Sequence, residues 1–103
     1  MAVGMLLAGE GITRDAYVAV TEKMFGNYPM RPDQSPDGLI VHTAGESPMG
    51  FYIYDVWESK EHFQAFMDSM VGPAMQEIGG EGGAEPTFYE IETLVEARTA
   101  AAA

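Results

Sequence analysis

The chain has 103 residues, enough for one domain with a single modest core. Its formal net charge is −11, and it has only five Lys and Arg residues. Such a surface would repel phosphate groups, so we expect neither nucleic acid nor a membrane surface as a partner. The 47% of apolar residues argues against a disordered chain, and the lack of cysteine excludes disulfides, thiolate metal sites and cysteine nucleophiles.

We do not expect the N-terminal segment to be a secretory signal peptide. Met1–Ala8 is too short for a secretory signal peptide and lacks its basic flank. No apolar run approaches the roughly 20 residues that span a bilayer. We therefore expect a cytoplasmic protein.

The N-terminal part predicts a strand followed by a helix. Val3–Ala8 is a short apolar run that glycines close, as expected of a buried strand. Thr13 is a good N-cap for the helix, in which apolar residues repeat every four positions from Ala16 to Met24. Gly26 ends this helix, and a proline-rich loop follows.

The middle of the chain predicts two strands joined by a short connection. The second strand covers Gly38–Ala44, and the third covers Phe51–Trp57. Side chains alternate between the two faces of a strand. We therefore expect one face of the third strand to carry Phe51, Ile53, Asp55 and Trp57, and the other to carry Tyr52, Tyr54 and Val56.

The hydrophobic period changes from two residues to three or four directly after the third strand. Trp57, the only tryptophan, precedes Ser59, which is expected to cap a second helix. Pro73 lacks an amide donor, so this helix is expected to kink or restart there. A glycine-rich loop at 79–83 then leads to a last strand over about Thr87–Val95.

These elements predict one domain over residues 1–96, with residues 97–103 as a flexible tail. Their order, β-α-β-β-α-β, indicates an α+β ferredoxin-like fold, in which a four-stranded antiparallel sheet carries two helices on one face. The other face stays uncovered, and its apolar residues favour a homodimer that pairs the two sheets. The alternative is a monomer with a polar outer face, which Glu90 and Glu92 in the last strand favour.

The segment Tyr54–Phe66 and the downstream Gly72–Met75 resemble the dimeric α/β-barrel superfamily, and most closely its antibiotic-biosynthesis-monooxygenase-like group. In that group an aromatic-rich third strand ends in a Trp, which a small capping residue and a helix follow. The resemblance implies a dimeric α/β barrel. It also implies one of several functions: cofactor-independent oxygenation of polycyclic aromatic molecules, haem degradation, polyketide cyclisation, or no known activity.

Two departures from the group's pattern argue against some of these functions. The oxygenases commonly carry a His on the helix after the Trp, where this chain has Phe66 and Met67. The haem-degrading members use a helix His and an Asn on the first strand, which here contains Met5, Leu6 and Leu7. We therefore expect no haem and no other cofactor. The two histidines also lack the spacing of a metal site, so we expect no metal.

His42 and Asp55 are the candidate catalytic residues. His42 lies in an apolar strand, where an imidazole is either a core group with a bonded ring nitrogen or a general base in a pocket. Asp55 is a carboxylate in the middle of an apolar strand, and from an adjacent antiparallel strand it would orient His42 as a base. The alternatives for Asp55 are an exposed position near the strand end or a cross-chain salt bridge with Arg14, Arg31 or Arg98.

A second group of residues predicts where a ligand binds. Its members are aromatic or methionine side chains near one end of the sheet: Tyr54, Trp57, Phe63, Phe66, Met67 and Met70. Singly they are typical of core packing, whereas together they would line a cleft for a planar apolar molecule. Tyr54 has a second interpretation, as part of the dimer face. His62, at the start of the second helix, is expected to face solvent.

Three functions fit these residues. The first is a cofactor-independent monooxygenase-like or cyclase-like enzyme acting on an aromatic or polyketide-like molecule, with His42 moving a proton and Asp55 orienting it. The second is a non-catalytic dimer that binds a small apolar ligand or serves as an accessory protein. The third is a structural protein with a filled core. A cavity that touches His42 favours the enzyme, a cavity without ionisable lining favours the binder, and a packed interior favours the structural protein.

Overall fold

Within the residues that the structure describes, the chain forms four strands and two main helical segments in the predicted order, β-α-β-β-α-β. The computed structural model describes residues 2–9, 11–79 and 85–97. None of the helices in these ranges is both long and apolar enough to cross a membrane. The elements are β1 (Val3–Ala8), α1 (Arg14–Phe25), β2 (Leu39–Ser47), β3 (Gly50–Trp57), α2 (Lys60–Phe66), α3 (Gly72–Ile78) and β4 (Thr87–Glu90), with a π-helical segment (Met67–Val71) between α2 and α3.

The four strands form one antiparallel sheet in the order β2-β3-β1-β4, which confirms the predicted ferredoxin-like α+β fold. Asp55 on the central strand β3 lies opposite Met5 on one side and His42 on the other. Directly paired residues share a face of the sheet. We call the face of Met5, His42, Asp55 and Trp57 the inner face, and the face of Leu6, Val41, Tyr52, Tyr54 and Tyr89 the outer face.

Both helical segments begin at the predicted caps. The Thr13 hydroxyl accepts a hydrogen bond from the Ala16 amide at 3.1 Å, and the Ser59 hydroxyl accepts one from the His62 amide at 3.2 Å. Gly26 ends α1 with a φ of 80°, a conformation that glycine adopts without a steric penalty. Local signals therefore fix where each helix begins and where α1 ends.

The expected interruption of the second helix takes the form of a π turn. The Gly72 amide donates to the Met67 carbonyl, five residues earlier, and the helical stretch continues through Pro73 into α3. Pro73 lies at the start of α3, where its missing N–H costs little. The π turn thus allows one long helical stretch to pack along the sheet.

The last strand is shorter than predicted, ending at Glu90 instead of Val95. The reason is its partner: β4 pairs with β1, and Glu90 already lies opposite Val3, the first residue of that strand. One further backbone bond joins the Ile91 amide to the Ala2 carbonyl at 3.3 Å. Residues 80–83 of the predicted loop and 98–103 of the predicted tail lie outside the described residues.

The core lies between the inner face and the helices. Its centre is Trp57, which is fully buried (0% exposed), together with Met5 and Phe63. The Trp57 and Phe63 rings meet edge to face with their centroids 5.7 Å apart. Phe66, on the same helix as Phe63, has its ring centroid 5.6 Å from that of Trp57. These contacts dock the second helical stretch on β3 and leave space on the α1 side of the tryptophan.

Candidate functional site

A cavity of about 200 Å³ lies between the inner face and the helices. The predicted residues Trp57, Phe63, Phe66 and Met67 line it, and the rest of the lining is mostly apolar. A dry apolar cavity of roughly 150 Å³ is known to accommodate benzene. The space is therefore large enough for a small aromatic molecule.

Two of the predicted ligand-binding residues lie away from this cavity. Tyr54 is on the outer face, because its neighbour Asp55 occupies the inner one, and it packs across Gly4 so closely that a Cβ there would collide with it. Met70 lines a separate open pocket beside Gln34 and His62. The structure therefore places four of the six predicted ligand-binding residues at the cavity and these two elsewhere.

His42 and Asp55 lie together at the cavity wall. The adjacent strands place the two residues directly opposite each other, and His42 Nδ1 is 2.7 Å from Asp55 Oδ1. The Asp55 side chain is 6% exposed and that of His42 is 25% exposed. Asp55 is therefore not a surface residue, and its partner in the described part of the chain is the His42 imidazole, which also borders the cavity.

Trp57 fixes the orientation of the Asp55 carboxylate. Its indole Nε1 lies 3.2 Å from Asp55 Oδ2, two residues back along the same strand face. The indole N–H is a donor only, so Oδ2 must accept. Each carboxylate oxygen then has an N–H partner, which offsets the cost of burying the group.

Tyr17 completes the cluster, although the sequence indicates it only as a possible residue at the rim of the cleft. Its hydroxyl lies 2.5 Å from His42 Nε2 and joins α1 to β2 across the cavity wall. Its ring packs against Tyr28 and Phe51, with centroids 5.8 and 5.4 Å away. The available signal was its position beside Ala16 on the inward side of α1.

The environment of Tyr17 keeps its phenol protonated. Burial raises the pKa of Tyr17 above the ordinary 10.0, and the acidic groups of Tyr28 and Asp55 raise it further, because they disfavour a second negative charge nearby. At neutral pH the Tyr17 phenol therefore stays protonated, and its O–H group donates a hydrogen bond to His42 Nε2. The cluster forms a chain of hydrogen bonds from Tyr17 through His42 to Asp55.

The other histidine lies apart from this chain. His62 was expected to face solvent, but it is half-buried, with Nδ1 2.7 Å from the Ser59 hydroxyl. Its ring covers Gly38, whose φ of 85° and lack of Cβ make room for it. His62 bonds the capping residue Ser59 and packs against a loop, and it is not part of the cavity lining.

The cavity therefore combines an apolar interior with one polar wall. Within the described residues, the titratable groups that line it are Tyr17, His42 and Asp55. The same described ranges contain no group of three or more His, Asp or Glu side chains arranged to hold a metal ion. A histidine with an orienting carboxylate can accept a proton, and a protonated phenol can donate or accept a hydrogen bond.

Several solved structures have a fold similar to that of this chain. No protein-family model and no curated protein sequence matches the chain. The chain is similar to NE2512, a protein of unknown function from Nitrosomonas europaea, with a TM-score of 0.57 and 11% identity over 95% of this chain and 94% of that one. It is also similar to Rv0793 from Mycobacterium tuberculosis, with a TM-score of 0.52 and 19% identity over 94% and 97%.

The third structure has a functional name. It is a candidate antibiotic biosynthesis monooxygenase from Deinococcus radiodurans, with a TM-score of 0.53 and 13% identity over 96% of this chain and 100% of that one. At such identities the likeness concerns the fold and not the activity. The chain therefore shares its ferredoxin-like α+β fold with these solved structures.

Proposed function

We propose that this protein binds an aromatic or polyketide-like molecule in its cavity and acts on it as a monooxygenase-like enzyme that needs no bound cofactor. The observation that carries the proposal is the His42–Asp55 pair, 2.7 Å apart, at the wall of an otherwise apolar cavity of about 200 Å³. The likeness to the candidate monooxygenase from Deinococcus radiodurans supports it at the level of the fold.

In the proposed reaction His42 accepts the proton that the substrate loses. Asp55 holds the ring in place and stabilises the imidazolium that forms. The substrate is then an electron-rich aromatic anion, which transfers electrons to dioxygen. In overall balance a ring CH₂ group and O₂ give a ring C=O group and water. In a cyclase-like reaction the same base would remove a proton α to a carbonyl.

An assay with a hydroxylated anthrone tests this proposal. The protein should increase dioxygen consumption above the protein-free rate, and labelled oxygen from O₂ should appear in the product. The corresponding anthraquinone is the control, because it has no ring CH₂ group left to oxidise and should give no increase. Absence of both binding and oxygen consumption across such compounds would contradict the proposal.

One observation favours a second candidate function, a non-catalytic binding protein. Both ring nitrogens of His42 are engaged, Nδ1 by Asp55 and Nε2 by Tyr17 at 2.5 Å, so no basic atom is free without a rearrangement. Binding of the anthrone without any oxygen consumption would support this function over the enzymatic one.

We also propose that two copies pair through their outer faces. The helices pack on the inner face, whereas the outer face presents Val41, 38% exposed, and Tyr89, 48% exposed, beside half-buried Leu6, Tyr52 and Tyr54. Apolar surface of this extent is costly to leave in water. A second copy is the proposed occupant because it carries the same uncovered face, so that one contact buries both.

Light scattering at micromolar concentration tests the dimer. We expect a mass of twice 11.2 kDa for the wild type and of 11.2 kDa for Val41→Glu, because pairing would bury an unpaired carboxylate. The monomer should tolerate this change, since Val41 is partly exposed. Met49→Glu adds the same charge at a position 89% exposed in the β2–β3 turn and should remain dimeric. A monomeric wild type would contradict the proposal.

A further inference from the structure

In the hydrogen bonds around His42, each donor points toward the Asp55 end of the cluster. Trp57 Nε1 can only donate, so it donates to Asp55 Oδ2. The carboxylate also accepts from His42 Nδ1, 2.7 Å from Oδ1, and this places the proton of the neutral ring on Nδ1. His42 Nε2 therefore presents a lone pair, which the Tyr17 hydroxyl occupies at 2.5 Å.

Tyr17 is the end of this chain that retains hydrogen-bonding capacity. A phenol has one O–H donor and acceptor lone pairs, and the donor is committed to His42 Nε2. Both nitrogens of His42 are already bonded. Of these two residues, only Tyr17 can therefore form a further hydrogen bond with a ligand. It would do so through an acceptor lone pair on Oη, because Tyr17 lines the cavity.

We infer that Tyr17 Oη, and not a ring nitrogen of His42, is the atom that contacts the polar group of a cavity ligand, and that Asp55 sets this oxygen as an acceptor. The inference rests on the proposed use of this cavity as the binding site and specifies how it recognises a ligand. A ligand with an O–H group can donate to Oη, whereas its methyl ether cannot. Tyr17 is therefore a specificity-determining residue.

The same contact supplies a path for the proton in the proposed reaction. A bound hydroxyl transfers its proton to Tyr17 Oη, while Tyr17 transfers its own proton to His42 Nε2. The ligand becomes an anion, His42 becomes an imidazolium facing Asp55, and Tyr17 is unchanged. The raised pKa of Tyr17 is consistent with this relay, because it disfavours a lasting phenolate.

Equilibrium dialysis with 2-naphthol and 2-methoxynaphthalene tests the inference. These two probes share a ring system, and only the first has a donor. Wild-type protein should bind 2-naphthol roughly 3- to 10-fold more tightly, the value of one hydrogen bond. In Tyr17→Phe this ratio should fall to about one, with the affinity for 2-methoxynaphthalene nearly unchanged. Tyr28→Phe makes the same change on the neighbouring ring, outside the cavity lining, and should keep the wild-type ratio.

Asp55→Asn provides a second, independent variant. The Asn oxygen can still accept from Trp57, while its NH₂ group donates to His42 Nδ1 and moves the ring proton to Nε2. Nε2 then donates to Tyr17 Oη, and the Tyr17 hydroxyl proton turns toward the ligand. The preference for 2-naphthol should therefore disappear or reverse in this variant.

The possible outcomes separate this inference from the proposed function. Equal binding of both probes by the wild type, or a 2-naphthol preference that survives in Tyr17→Phe, would overturn the inference and leave the proposed function standing. A preference that depends on Tyr17, together with no oxygen consumption from a hydroxylated anthrone, would support the inference and contradict the enzymatic function. Failure to bind either probe would overturn both.

Discussion

Replacing His42 by Gln is expected to slow the proposed deprotonation by about 10²–10⁴-fold, the usual contribution of a positioned base. The Gln amide can still donate to Asp55 Oδ1, so the buried carboxylate keeps a partner and the fold should survive. What the variant loses is a group that can take up a proton. The measurement is the rate of oxygen consumption with the hydroxylated anthrone at saturating concentration.

The chain contains its own control for this substitution. His62→Gln is the same chemical change at the second histidine, which bonds Ser59 and lies outside the cavity lining. Its rate should equal that of the wild type. Equal rates in wild type, His62→Gln and His42→Gln would remove His42 from the chemistry and leave the cavity as a binding site alone.

The fold was predictable where short stretches of sequence determine it. Thr13 and Ser59 begin helices through bonds to amides three residues later, and the alternation of β3 separates Tyr54 from Asp55 without reference to the rest of the chain. The end of β4 was not predictable in this way. It depends on where β1 begins, because the register places Val3 opposite Glu90.

The candidate site also has one part that neighbouring strands determine and another that depends on the packing of distant elements. The pairing of His42 with Asp55 follows from two neighbouring antiparallel strands, so sequence could suggest it. The contact of Tyr17 with His42 depends on how α1 is rotated and placed over the sheet, which no local pattern specifies. Met70 was misplaced for a related reason, since the π turn alters which side chains of the second helical stretch face the cavity.

Replacing Trp57 by Ala is expected to lower the free energy of unfolding by about 3–5 kcal/mol, as for other large-to-small changes in a core. Trp57 is fully buried, and its ring packs against Phe63 and Phe66. Urea denaturation followed by circular dichroism, at one fixed protein concentration, measures the change. Met49→Ala, at an exposed position, should stay within roughly 0.5 kcal/mol of the wild type.

Trp57→Phe separates the two roles of this side chain. A phenylalanine retains much of the ring contact with Phe63 but has no N–H, so Asp55 Oδ2 becomes a buried acceptor without its partner. We expect a loss of about 1–3 kcal/mol from that unpaired oxygen, on top of a smaller packing loss. The 2-naphthol preference should also weaken, because Asp55 is then free to turn away from His42. A variant as stable and as selective as the wild type would show that the indole N–H neither supports the fold nor holds the site, and that Trp57 acts through its ring alone.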